Sequence, residues 1–167
     1  MLRYRDRGDE AAFAELFGRY AQRLHTFFGR FGDRGAADAG DLVQKTFLQV
    51  HRARKDYDAS RQVRPWIYTI ALNVRREEGR RRLRNREVTG DELPEAAVAP
   101  NVSSASDRLV QRALLKLSEG QREVIVLHWF DGLSFPEIAE MLGAGVSAVK
   151  VRAHRAYEEL RRILGEP

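Results

Sequence analysis

Between Ser118 and Arg162 the chain repeats apolar residues at helical spacing on both sides of one break, Gly143-Ala144-Gly145. That pattern leaves few folds open. Ser134 followed three residues later by Glu137 is a capping box, after which Ile138, Ala139, Met141 and Leu142 recur at helical spacing as far as Gly143. Glycine takes positive φ at no steric cost, so the break turns the chain sharply, and Ser147 stands where it can cap a second helix. In that helix Val149, Ala153, Ala156, Leu160 and Ile163 form one stripe, leaving Lys150, Val151, His154, Arg155 and Arg162 on the opposite side. Two helices crossing at a tight turn, the second basic on its outward face, make a helix-turn-helix suited to base edges and phosphates in a major groove.

The rest of the chain narrows the class. At 167 residues and a formal net charge of +5 it can build one or two modest domains with real cores, and the excess charge favours a polyanionic partner. Cysteine is absent and His25, His51, His128 and His154 are isolated, so neither a disulfide framework nor a metal site is expected. The N-terminus is charged from its third residue and no apolar run approaches a membrane span. These features predict a soluble, unprocessed protein of the reducing cytoplasm.

Upstream, Asp9 is a helix cap for a broad apolar face of Phe13, Leu16, Phe17, Tyr20, Leu24, Phe27 and Phe28. Gly32-Asp33-Arg34-Gly35 breaks that helix, and Asp38 opens a second one with Leu42, Val43, Phe47 and Val50 inward. A third starts at Pro65, a favoured first helical residue, runs through Trp66, Ile67, Ile70, Ala71 and Val74, and becomes arginine-rich beyond Val74. No alternating β-branched run occurs, so the predicted fold is all-α. Glu87 to Asp107 has no Lys or Arg, carries five acids and two prolines, and buries too little apolar area to offset its ordering entropy. It reads as a disordered acidic linker (87–107) between an N-terminal helical domain (1–86) and a C-terminal helix-turn-helix domain (108–167).

Four motifs in this order resemble a known family: GDEAAFAELFGRY at Gly8–Tyr20, DAGDLVQKTFLQVHRA at Asp38–Ala53, RPWIYTIALN at Arg64–Asn73, and LSEGQREVIVLHWFDGLSFPEIAEMLG with VKVRAHRA between Leu117 and Ala156. The chain resembles an extracytoplasmic-function (ECF) sigma factor, a minimal member of the sigma-70 family of bacterial transcription initiation factors. The resemblance implies binding to core RNA polymerase, at its β′ clamp helices and β flap, promoter DNA as the other partner, and an anti-sigma factor as regulator. It implies no cofactor and no small-molecule substrate.

Residue by residue, the resemblance places Asp38, Asp41 and Gln44 on the polymerase clamp. Here the chain departs from the family pattern, close to DAEDLVQETF, by carrying Gly40 and Lys45 in place of two glutamates. The lost charges are expected to weaken attraction to a basic partner. The loop and helix implied to recognise the −10 element contribute Arg54, Lys55, Tyr57, Arg61, Arg64, Trp66, Asn73, Arg76 and Arg80. Opening a promoter requires a base held out of the stack, which basic and aromatic side chains serve. On local grounds Trp66 reads more readily as a core aromatic. For the −35 element the resemblance implies Ser147, Lys150, Val151, Arg152, His154 and Arg155, with Arg122 as a further backbone contact. No glycine-rich phosphate loop, nucleophile elbow or convergent acid-base set indicates an enzyme. The alternatives are a stand-alone helix-turn-helix regulator binding a palindrome as a dimer, and a nucleic-acid-modifying enzyme.

Overall fold

The structure is a computed structural model that describes residues 1–32, 35–89 and 104–165, with side chains at 1–32, 39–85 and 104–165. Most of the predicted linker and the Asp38 side chain lie outside the described residues. Every element among the described residues is helical, as the sequence predicts. The chain divides into two compact units, Met1–Phe28 with Ala37–Glu95 and Gly29–Ala36 with Ala96–Pro167.

In the first unit α1 (Leu2–Arg7) stops at Gly8, whose φ of 65° lets its N–H reach the Tyr4 carbonyl. Helix α2 (Glu10–Gly29) starts where Asp9 accepts a bond from the Ala12 N–H at 3.0 Å. Leu16, Tyr20, Leu24, Phe27 and Phe28 of α2 are buried, as are Leu42, Val43, Phe47 and Val50 of α3 (Gly35–Arg52) and Ile67, Tyr68, Ala71, Leu72 and Val74 of α4 (Val63–Thr89). At the centre Phe27 and Tyr68 meet edge to face with centroids 5.2 Å apart, the arrangement the ring quadrupoles favour.

Three details of this unit differ from the sequence expectation. Phe17, predicted on the apolar face, is 43% exposed, although its ring lies 4.8 Å from that of Phe47. Helix α3 begins at Gly35, so Asp38 lies inside it and is not its cap. Helix α4 begins at Val63, which makes Pro65 its third residue; the missing N–H still costs nothing there because first-turn donors have no intrahelical acceptor.

The second unit opens with α5 (Ala105–Lys116), capped by Ser104, whose hydroxyl accepts from the Asp107 N–H at 2.9 Å, so helix forms inside the stretch expected to be linker. Ser118 and Gln121 close a capping box at the start of α6 (Glu119–Ile125), which continues into a π-helical turn (Val126–Phe130). The Ser134 and Glu137 box opens α7 (Phe135–Leu142), and Gly143 ends it at φ 61°. Helix α8 (Val146–Leu164), packed on α6 and α7, buries Val149, Ala153 and Ala156 of the predicted stripe, while Leu160 and Ile163 are half-buried. Its cap is Gly145; Ser147 lies one residue inside the helix and makes no capping bond. Ser134→Ala should therefore cost about 1 kcal/mol in urea unfolding, whereas Ser147→Ala should stay within about 0.5 kcal/mol.

Candidate nucleic-acid interface

The small residues that seat α8 on its neighbours determine what it shows outward. Lys150, Val151, His154 and Arg155 recur at positions one, four and five after the first, share one face, and are all exposed, Val151 by 50%. Ser147 is exposed at the start of the same helix. His154 Nε2 lies 3.4 Å from Glu158 one turn on. Arg152 is half-buried and lies over Gly120, where a Cβ would meet its Cδ at 3.6 Å.

The Arg122 guanidinium is engaged with backbone carbonyls. Its Nε donates to the Leu114 carbonyl at 2.8 Å, and its Nη2 donates to the carbonyls of Leu115 at 2.8 Å and Leu117 at 3.0 Å. A fixed guanidinium fork thus gathers carbonyls at the C-terminal end of α5 and its cap, sharing the Leu114 oxygen with the Leu117 N–H.

In the first unit the segment from Arg54 to Arg64 is a short 3₁₀ turn (Arg54–Asp56), an open loop over 57–62 and the first two residues of α4. Tyr57 is buried, donates its hydroxyl to the Arg61 carbonyl, accepts from Arg5 Nη1 at its own carbonyl at 3.2 Å, and meets the half-buried Trp66 at 5.0 Å between centroids. Its ring supports the loop from beneath and is not presented for stacking. Burial pushes the Tyr57 phenol up from its ordinary pKa, so it remains a donor. Asp58 is held below the usual carboxylate range by bonds from the Ser60 N–H and hydroxyl, and it lies 3.5 Å from Arg61. Arg54 is half-buried, donates to the His51 carbonyl at 2.7 Å and lies 5.9 Å from the Tyr4 ring; Lys55 is exposed and Arg64 half-buried. Along α4, Trp66, Asn73, Arg76 and Arg80 are seven, three and four residues apart and so share one side. At 1.5 Å per residue they form a row of roughly 21 Å.

On α3, Asp41 and Gln44 are exposed on one line that continues to the exposed Leu48. Lys45 turns elsewhere, its Nζ 2.6 Å from Glu78 Oε2 on α4, a pairing the sequence did not disclose. No group of three or more metal-ligating side chains occurs among the described residues.

Comparison with known proteins decides the family. The family model for sigma-70 region 2 matches residues 16–85, and that for sigma-70 region 4 matches residues 107–160. The RNA polymerase sigma factor CarQ of Myxococcus xanthus is 40% identical over 99% of this chain and 96% of its own length. The ECF RNA polymerase sigma factor SigW of Bacillus subtilis is 32% identical over 95% and 91%.

The chain belongs to the ECF sigma factors.

Among solved structures, the sigma factor RpoE in complex with the anti-sigma factor NepR from Bartonella quintana superposes with a TM-score of 0.82 at 25% identity, covering 93% of this chain and 98% of that one. CnrH in complex with the cytosolic domain of CnrY gives 0.73 at 33% identity, covering 95% and 90%. Within this sigma factor the region 2 match contains the α3 line, the loop and the α4 row, and the region 4 match contains α7 and α8 as far as Leu160. No helix among its described residues is long and apolar enough to cross a membrane.

Sequence reasoning also missed an apolar groove of about 200 Å³ in the second unit, lined by Val110, Leu114, Ile125, Trp129, Tyr157 and Leu160 among others. Trp129 at its rim is 61% exposed, and the Tyr157 hydroxyl is buried with no hydrogen-bond partner. The signal available was the Trp129-Phe130 pair beside Gly132, but whether such a pair faces inward depends on the π-helical turn.

The Lys45 bond holds the Glu78 carboxyl below its ordinary pKa, against opposing desolvation. A carboxyl depressed in the fold contributes stability that is full above its unfolded value, near ~4.3, and is lost as pH falls through the lowered folded value. The stability gap between the wild type and Glu78→Gln should accordingly be open at pH 7 and close on acidification, read as unfolding midpoints across that range. A gap that is constant with pH would contradict it.

Proposed function

We infer that this sigma factor binds core RNA polymerase through the α3 line and reads a two-part promoter, −10 through the loop and α4 and −35 through α8. The observation that carries this is the exposed basic face of α8, set on a helix whose other side is sealed by Val149, Ala153 and Ala156. Lys150 and Arg155 meet base edges or phosphates, Val151 offers an apolar surface to a thymine methyl, and His154, Ser147 and Arg152 lie beside them. Asp38, Asp41 and Gln44 take the polymerase clamp.

In the first unit Lys55, Arg61, Arg64, Trp66, Asn73, Arg76 and Arg80 contact the −10 DNA, while Tyr57 and Arg54 hold the loop in shape. Arg122 is left out because its guanidinium is engaged with backbone carbonyls. The apolar groove at Trp129 takes the β flap. Residues 1–86 and 108–167 act as the two reading domains, with 87–107 as their tether. The protein works in the cytoplasm, makes no bonds itself and leaves catalysis to the polymerase. Two structurally similar proteins were solved with an anti-sigma factor or a cytosolic partner domain, and this chain has an inhibitor of that kind.

The test uses promoters selected from a randomised library by this chain with bacterial core polymerase. Lys150→Ala and Arg155→Ala should each lower −35-dependent transcription by about five-fold or more, with core binding intact. A substitution that acts on phosphate alone should also reduce the salt dependence by about one ion. Loss of core binding in either variant would count against the assignment.

A further inference from the structure

The arginine-rich half of α4 begins where its buried side chains end. Val74 is the last buried residue among the described side chains of that helix, and Arg75, Arg76, Arg80, Arg81, Arg82 and Arg84 follow within three turns. Concentrated positive charge on one helix repels itself, so a feature that fixes its course matters to whatever it contacts. Glu78 stands in the middle of this run. One of its oxygens takes Lys45 Nζ at 2.6 Å and the other lies 3.6 Å from Arg82 Nε, with the Glu78 side chain only 19% exposed and that of Lys45 43%. The pair joins two helices of one unit. Lys45 adjoins Gln44 and is one turn from Asp41, while Glu78 lies between Arg76 and Arg80.

We propose that Lys45 is a positioning residue for −10 recognition: through Glu78 it fastens the arginine row of α4 to the helix that docks on the polymerase. The proposal rests on the function inferred above. It also reverses one expectation from the sequence. Lys45 is drawn towards Glu78 and so does not act as a repelling charge on the clamp surface, and a glutamate at 45 would set two carboxylates side by side. Gly40, by contrast, has open space at the Cβ position.

The experiment compares Lys45→Glu, Glu78→Lys and the charge-swapped double variant, with Lys45→Met and Glu78→Gln as neutral counterparts, in the full chain at a temperature where circular dichroism shows each folded. Two quantities are read: affinity for core polymerase, and open-complex formation on a selected promoter relative to the same promoter with its −10 element scrambled. The ratio is the decisive readout, because altered non-specific attraction changes both promoters alike.

Each single reversal should lower the ratio about three- to five-fold, as expected for one partly exposed ion pair, and the swap should bring it back to within about two-fold. Lys45→Glu should leave core affinity no tighter. Tighter core binding by Lys45→Glu with an unchanged ratio would overturn the proposal, as would single reversals that the swap does not rescue. If the wild type itself opens no promoter with core polymerase, the functional reading fails and the proposal with it. Wild-type activity with unaffected variants sinks the proposal alone.

Discussion

Close seating of α8 through Val149, Ala153 and Ala156 is the contact on which the second unit depends. Small side chains let α8 approach α6 and α7, and a helix sealed along one stripe has only one direction in which to show the other. Lys150, Val151, His154 and Arg155 face solvent for that reason. The Ser134 box and the left-handed Gly143 fix where α7 begins and ends, and Arg122 collects the carbonyls at the end of α5. Each of these features limits the orientation of α8.

The first unit applies the same principle to a helix that changes character along its length. Up to Val74, α4 is part of the core with Phe27, Leu42 and Val50; past it, the helix is a basic row held by local pairing. The loop before it is supported by a buried Tyr57 bonded at both its hydroxyl and its carbonyl. A binding surface gains from such support, since a fixed geometry has no ordering cost left to meet on binding. The exposed Lys55, Arg61, Asn73 and Arg80 of this loop and helix are carried on buried neighbours.

Features with a local cause were legible in the sequence. The Ser134–Glu137 box, the Asp9 cap, the Gly143 stop and the α8 stripe each depend on residues within one or two turns, and all appear in the structure. Three helix starts lie two to four residues before the expected ones. Gly145 outcompeted Ser147, and α3 and α4 began before Asp38 and Pro65. The partners of Arg122, Tyr57 and Lys45 were not legible, because each meets a group whose position depends on the turn of another element. The apolar groove at Trp129 belongs to the same group, since it requires three segments to converge.

Reconstitution with bacterial core polymerase tests the central claim most directly. Purified chain, core polymerase and a randomised promoter library are combined, and transcripts and DNA protection are measured with each protein omitted in turn. The account predicts specific starts and joint protection of −10 and −35 elements only when chain and polymerase are both present. Tight, sequence-specific protection of duplex DNA by the chain alone, with no transcripts when polymerase is added, would contradict it and identify a stand-alone regulator.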